Sequence, residues 1–170
     1  MDRLTRDLLD YSKPSPARLV PSDMNKILDS AIFLTPLARK GAPPKIHKQY
    51  EPRLPRVPVD PNKIQQVFLN ILNNAFAAVD DGGRIEIGIK AVEPDSVAIW
   101  VEDNGVGIPE ENLSHIFDPF FSTKKGAGTG LGLSITYGIV QKLGGEISVH
   151  SIVGEGTRFT VTLPKGKALV

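Results

Sequence analysis

Glycine falls at every second position from Gly126 to Gly132, in the run Gly126-Ala127-Gly128-Thr129-Gly130-Leu131-Gly132. Lys124 and Lys125 stand just upstream, and an apolar helical pattern begins just after. Glycines let backbone N–H groups turn toward one point without obstruction by side chains. A helix start beyond them adds unpaired N–H donors and a partial positive charge, and a lysine ammonium binds phosphate as a point charge. The chemistry that fits is polyphosphate binding. A plain flexible loop with solvated lysines fits the same residues.

Three other groups precede this run. Asn70, Asn73 and Asn74 crowd one helical pattern, and Asn70 and Asn74, spaced one turn apart, share a face with Gln66. Asparagine costs a helix roughly several tenths of a kcal/mol relative to alanine, and a local conflict of that kind tends to mark a functional position. Carboxamide oxygens suit Mg²⁺, which keeps several waters and takes phosphate oxygens for the rest; a solvated polar face is the other reading. Asp103-Asn104-Gly105-Val106-Gly107-Ile108-Pro109 directly follows a strand pattern. An ionised carboxylate there can accept a hydrogen bond from an exocyclic amine, two glycines admit a flat ring, and Ile108 offers an apolar wall. An ordinary turn rich in Asp, Asn and Gly fits as well. Finally, Ile116-Phe117-Asp118-Pro119-Phe120-Phe121-Ser122-Thr123 places three phenylalanines in a loop segment, where they either anchor a mobile lid or form a small satellite core.

The elements that must position these groups follow from periodicity. Leu4, Leu8 and Tyr11 form a short helical stripe within residues 2–12, and Pro14 and Pro16 mark Lys13–Val20 as a linker. Ser22 or Asp23 opens a helix over Ile27, Leu28, Ala31 and Ile32 that Pro36 kinks or ends. Lys45–Tyr50 reads as an edge strand and the proline-rich stretch after it as an extended connection. Asp60-Pro61 starts a strong helix with Ile64, Val67, Phe68, Ile71, Leu72 and Ala75 on its apolar side, ending near Asp80-Asp81-Gly82-Gly83. Arg84–Val92 and Val97–Val101 make a hairpin; a long loop spans 103–130; a helix runs from about Leu131 to Leu143; and Glu146–Ile152 and Thr157–Leu163 make a second hairpin. The class is α+β, one sheet covered on one face by helices.

Composition narrows the chemistry. The chain has 170 residues, 41% of them hydrophobic and 23% charged, which suits one globular domain with a small appendage. A net charge of +1 without a clustered basic excess argues against a nucleic-acid partner. The absence of cysteine removes disulfides, zinc–cysteine sites and thiol catalysis and fits a reducing, cytoplasmic setting. No apolar run is long enough to span a bilayer, and no signal-peptide pattern opens the chain, so no direct membrane contact is expected. His47, His115 and His150 are too far apart in sequence for the close spacing common in zinc sites.

The order of the four groups is more specific than any one of them. In that order the chain resembles the catalytic ATP-binding domain of sensor histidine kinases, within the wider ATPase and kinase superfamily of gyrase, Hsp90 and MutL. The resemblance covers roughly residues 20–165. Asn70 and Asn74 match its N box, where the second asparagine holds Mg²⁺, so Asn74 is the implied metal ligand, with Asn70 and Asn73 at the phosphates. Asp103, Gly105 and Gly107 match the first glycine box, whose aspartate binds the adenine amino group, with Ile108 beside it. Phe117 and Phe120 match the F box. Gly128, Gly130 and Gly132, with Thr129 and Leu131 between them, match the second glycine box, which contacts phosphates and hinges the ATP lid. Gly156 and Thr157 resemble a late Gly-Thr element that approaches adenine. The implied fold is a two-layer α/β sandwich, the Bergerat fold, with a mixed sheet of about five strands.

Two departures shape the expectations. Ala77 stands where many members carry Lys or Arg, so Lys124, with Lys125, is left to supply the phosphate charge and counts with Asn70 and Asn74 as catalytic. The Ser122-Thr123-Lys124-Lys125 lid resembles the nitrogen-regulation type of sensor kinase. The family phosphorylates a histidine on a helical hairpin, and none of the three histidines matches that acceptor. The resemblance therefore implies a fragment: residues 1–19 as the end of the hairpin's second helix plus linker, and 20–170 as the catalytic domain, monomeric when isolated. ATP and Mg²⁺ are the implied cofactors, and the parent kinase's dimerisation and phosphotransfer domain and a response regulator receiver domain the implied partners. Superfamily ATPases resemble one another in placing glutamate at position 70 to activate water; Asn70 cannot take a proton, which predicts poor hydrolysis and weakens the anti-sigma-type serine kinase alternative. A non-catalytic ATP-binding module that docks partners is the remaining alternative.

Overall fold

A computed structural model of the chain describes residues 5, 8, 9, 12, 16–35, 41–123 and 128–166. In chain order its elements are β1 (Val20–Ser22), α1 (Met24–Leu34), β2 (Lys45–Tyr50), β3 (Val57–Val59), α2 (Pro61–Ala78), β4 (Arg84–Val92), β5 (Ser96–Asp103), α3 (Glu110–Leu113), α4 (Gly132–Lys142), β6 (Glu146–Ile152) and β7 (Gly156–Pro164). Leu4, Tyr11, Pro14, Pro36, Lys124, Lys125, Gly126 and Ala127, which figured in the sequence reading, lie outside the described residues.

Period-two alternation builds a five-stranded sheet in the order β2-β4-β5-β7-β6. Ile85, Ile87 and Ile89 of β4, Val97, Ile99 and Val101 of β5, and Phe159, Val161 and Leu163 of β7 are buried together on one face. Each such side chain contributes about 1.5–3 kcal/mol when fully buried. The sheet is mixed: β2 runs parallel to β4, and every other neighbouring pair is antiparallel. Helix α2 crosses the apolar face over β5 and β7, with α1 on one side of it and α4 on the other. Asp60 caps α2 by accepting from the Asn62 and Lys63 amides, and Pro61 occupies its first turn. The result is the expected two-layer α+β sandwich.

Three features depart from the sequence reading. Val20, read as the end of a linker, starts β1, which pairs antiparallel with β3 inside the stretch read as an extended connection. Strands of three residues with Pro21 opposite Pro58 carry too little alternation to be legible. The one-turn helix α3 interrupts the long loop; four residues with two glutamates and no buried side chain show no apolar stripe. Most consequential, β5 continues through Glu102 to Asp103, so the aspartate is the last residue of a strand rather than the first of a loop. Of the N-terminal stripe, Leu8 is helical and exposed, as are Thr5, Leu9 and Ser12.

Candidate functional site

Asp103 has the same parity along β5 as Val97, Ile99 and Val101, so its side chain meets the helix layer. Strand pairing places Thr157 directly beside it, and Ser151 beside Thr157. The apolar face of the sheet thus ends in a polar row across three strands. Asp103 and Thr157 are 6% and 5% exposed. Burial pushes the Asp103 carboxyl above its ordinary value; the Gly105 and Thr157 amides, donating to it, oppose that, and the neighbouring Glu102 charge reinforces it. The Gly105 bond is 2.9 Å long.

The turn after Asp103 needs its glycines for different reasons. A Cβ on Gly105 would collide with the Ala78 carbonyl, because the chain is drawn against the end of α2, where Val106 N–H donates to Ala78 O at 3.1 Å. Gly107 has a φ of +74°, and a Cβ there would meet the Ile152 carbonyl. Gly105 therefore braces the cleft from behind, while Gly107 and Ile108 line it.

The polar side of α2 forms a second wall. Asn70, Asn73 and Asn74 all line the cleft, half-buried. Asn70 is committed: its Nδ2 donates to the Gly132 carbonyl at 3.0 Å and to Thr136 Oγ1 at 3.3 Å, tying α2 to the first turn of α4. The Asn74 side chain makes no hydrogen bond to any described residue, and its carboxamide remains available to a guest. Gly132 and Leu133, at the start of α4, line the cleft, and no side chain caps that helix. Uncapped amides at a helix start attract anions.

The remaining wall comes from the loops before α4. Gly128, Thr129 and Gly130 line the cleft, with Phe121, Ser122 and Thr123. The two ends of this segment are clamped together: Phe120 N–H donates to the Gly130 carbonyl at 2.9 Å. A Cβ on Gly130 would press on the Phe120 backbone, and Phe120 itself has a φ of +65°, uncommon for a bulky residue. The phenylalanines divide their work. Phe117 packs against Tyr137 and Phe159, with ring centroids 5.5 Å and 6.5 Å away, as part of the core rather than the cleft surface. Phe120 is 64% exposed.

Together these walls enclose a cleft of about 790 Å³, within the usual size of small-molecule sites. It gathers Asn70, Asn73, Asn74, Asp103, Gly107, Ile108, Gly128, Thr129, Gly130, Gly132 and Thr157 of the expected site residues. Phe117 and Gly105 stand behind its walls. Leu131 is fully buried, so that only its backbone serves the α4 start. Lys124 and Lys125 fall outside the described residues, and Ala77, where a cation was missed, is exposed on the rim. His47, His115 and His150 are exposed and line no part of the cleft. Sequence reasoning passed over Ser151, which is visible only once strand register puts it beside Thr157. It also passed over the clamp made by Asn70, although a carboxamide at the edge of an apolar helix face is a signal for such a bond.

The arrangement has the shape and acceptor to take a flat ring with an amine donor at Asp103, between glycine backbone and Ile108. Its other wall, where asparagine side chains and an uncapped helix start face one another, suits an anion. Among the described residues, no group of three His, Cys, Asp or Glu side chains could hold a metal. The donor set fits instead a hard cation that takes one carboxamide oxygen and draws its other ligands from water and phosphate.

The sequence model of the family described as "Histidine kinase-, DNA gyrase B-, and HSP90-like ATPase" matches residues 59–167. Sporulation kinase E of Bacillus subtilis (strain 168) is 45% identical over 111 residues, covering 65% of this chain and 15% of that protein. Sensor histidine kinase ZraS of Salmonella typhimurium is 35% identical over 164 residues, covering 96% of this chain and 35% of that protein. The crystal structure of full-length ShkA in complex with AMPPNP is similar with a TM-score of 0.84 at 26% identity, over 98% of this chain and 36% of that one. The chain thus spans well under half the length of the curated relatives named here.

The Asn70 clamp is testable. Asn70→Asp replaces two donated hydrogen bonds with a carboxylate facing the Gly132 carbonyl oxygen. The stability loss expected is about 1–3 kcal/mol, the cost of leaving the partly buried Gly132 carbonyl without a donor, read from the urea midpoint. An unchanged midpoint would show that α2 and α4 do not depend on this bond.

Proposed function

We propose, because the chain belongs to the histidine kinase-, DNA gyrase B- and HSP90-like ATPase family, that its cleft binds ATP with Mg²⁺ and delivers the γ-phosphoryl group to a histidine on a separate hairpin domain. It is then the catalytic ATP-binding domain of a cytoplasmic part of a sensor histidine kinase. The observation that carries the reading is the convergence of Asn74, Asp103 and the Gly128–Gly132 segment on one cleft.

Each residue has a physical task. Asp103 accepts the exocyclic amine of adenine, with the ring against Gly107 and Ile108. The start of α4 and the glycines before it offer N–H donors to the phosphates, and Lys124 and Lys125 add positive charge. Asn74 would contribute the protein oxygen to Mg²⁺, which when bound neutralises phosphate charge as the γ-phosphoryl group leaves. Asn70 fixes the separation of α2 and α4, and so the width of the phosphate wall. Among the described residues, the only carboxylate lining the cleft is Asp103, which is held by the Gly105 and Thr157 amides. No other carboxylate among the described residues is placed to activate water, and the phosphoryl group is kept for a histidine nucleophile positioned from outside.

The finer assignments rest on sequence. Ser122-Thr123-Lys124-Lys125 supports the nitrogen-regulation type of sensor kinase. Residues 1–19 are read as the end of a hairpin helix plus linker and 20–170 as the catalytic domain. The partners are that hairpin and, downstream, the receiver domain of a response regulator.

The deciding experiment supplies a histidine-bearing hairpin domain of this kinase class and ATP labelled at the γ-phosphate. Label is expected on the hairpin histidine; ATP binding without any transfer would leave only a nucleotide-binding module. Asn74→Ala is expected to lower ATP affinity about tenfold with Mg²⁺ and to leave affinity in chelator unchanged by titration calorimetry. Equal losses in both conditions would remove Asn74 from the metal.

A pH dependence follows from the raised Asp103 pKa. The amine needs an ionised carboxylate, so protonation of Asp103 opposes binding, and its effect begins at a higher pH than for an ordinary aspartate. ATP affinity is expected to fall on acidification by a step that Asp103→Asn lacks. Parallel pH profiles for the two proteins would show that Asp103 does not meet the base.

A further inference from the structure

Ser151 stands where three hydrogen bonds cross. Its Oγ accepts from Ile108 N–H at 2.7 Å, donates to the Gly156 carbonyl at 3.0 Å, and lies 2.8 Å from Thr157 Oγ1. A serine hydroxyl owns one proton and two lone pairs. An amide N–H can only donate and a carbonyl can only accept. With one lone pair taken by Ile108 and the proton spent on Gly156, all three bonds form together in one way: Thr157 donates its hydroxyl proton to Ser151. The Thr157 oxygen is then left with lone pairs alone. It belongs to a nearly buried residue that lines the cleft beside Asp103, whose ionised carboxylate is likewise acceptor-only.

We infer that Ser151 is a specificity-determining positioning residue, which by taking the Thr157 proton makes the base-binding end of the cleft present side-chain acceptors only and so selects an amino purine over an oxo purine. The inference rests on the nucleotide reading above and adds to it. An amine brought to this end finds an acceptor on each side. A carbonyl brought to the same place meets oxygen lone pairs, and a buried polar group without a partner is strongly disfavoured. Ser151 touches no nucleotide in this scheme; it acts through Thr157. Because it also holds the Ile108 amide, its removal loosens the Gly107–Ile108 wall for any purine alike. The diagnostic quantity is therefore the ATP-over-GTP preference and not affinity itself.

Titration calorimetry of ATP and GTP against the wild-type chain, Ser151→Ala, Thr157→Val and the double variant tests this. The wild type is expected to prefer ATP. Ser151→Ala frees the Thr157 hydroxyl to rotate and donate, and the preference is expected to fall about tenfold, the worth of one hydrogen bond. Thr157→Val, which leaves the Ser151 bonds to Ile108 and Gly156 in place and carries little risk to the fold, is expected to lower the preference as well. Adding Ser151→Ala to it should then change the preference no further. Ser151→Thr, which keeps a hydroxyl, should retain it. The inference is overturned by an intact preference in Thr157→Val, by equal weakening of both nucleotides in Ser151→Ala, or by an undiminished effect of Ser151→Ala in the Thr157→Val background. A wild type that binds ATP without preferring it overturns the inference and leaves the proposed function standing. A wild type that binds neither nucleotide overturns both.

Discussion

A carboxylate at the end of an apolar sheet face is the constraint on which the site depends. Strand parity leaves Asp103 no choice of side: it must point the same way as Val97, Ile99 and Val101. Removing an ionised carboxylate from water is costly unless hydrogen bonds replace the water, and here backbone amides do so, from Gly105 in the following turn and from Thr157 on the neighbouring strand. That solution dictates its surroundings. The chain must turn sharply after Asp103, against the end of α2, and only glycine fits beneath the Ala78 carbonyl. The helix layer cannot close over this polar row, so the cleft opens where apolar packing ends.

The opposite wall depends on helix placement rather than on the sheet. The apolar side of α2 is spent on the core, and its asparagine side reaches across to α4. The loop before α4 returns to its own starting point through the bond between Phe120 and Gly130. A bulky residue in the left-handed region costs of order 1–3 kcal/mol, and the packing of Phe117 against Tyr137 and Phe159, three residues earlier, supplies a firm base for it. The segment that borders the cleft thus springs from a rigid foot rather than from a slack loop.

Much of this was legible in the chain itself. The isoleucine alternation of β4, the Asp60-Pro61 start of α2 and the glycine-rich run each carry a local signal, and local signals survive translation into structure. What was hidden is what depends on pairing. The small sheet of β1 and β3 has no period to detect. The parallel arrangement of β2 and β4 cannot be seen in either strand alone. The row of Asp103, Thr157 and Ser151 exists only through register across β5, β7 and β6; in sequence, Ser151 is one more polar residue near the end of a strand. Asn70 and Asn74 looked equivalent by spacing, yet the Asn70 side chain bonds to α4 and the Asn74 side chain bonds to no described residue.

That difference bears on why position 70 holds a carboxamide. Two demands meet there. The clamp to α4 needs a donor, because both groups it faces, the Gly132 carbonyl and the Thr136 hydroxyl, offer oxygen. The proposed reaction needs a group that cannot accept a proton from water, because a base beside the phosphates would divert the phosphoryl group to hydrolysis. A glutamate would fail the second demand outright and would meet the first only when protonated. A leucine would meet the second and abandon the first. Asparagine satisfies both with one side chain, at the small cost of its poor helix propensity. The sequence conflict at this turn of α2 is therefore resolved in the packing of two helices and, in the proposed reaction, in the choice of nucleophile.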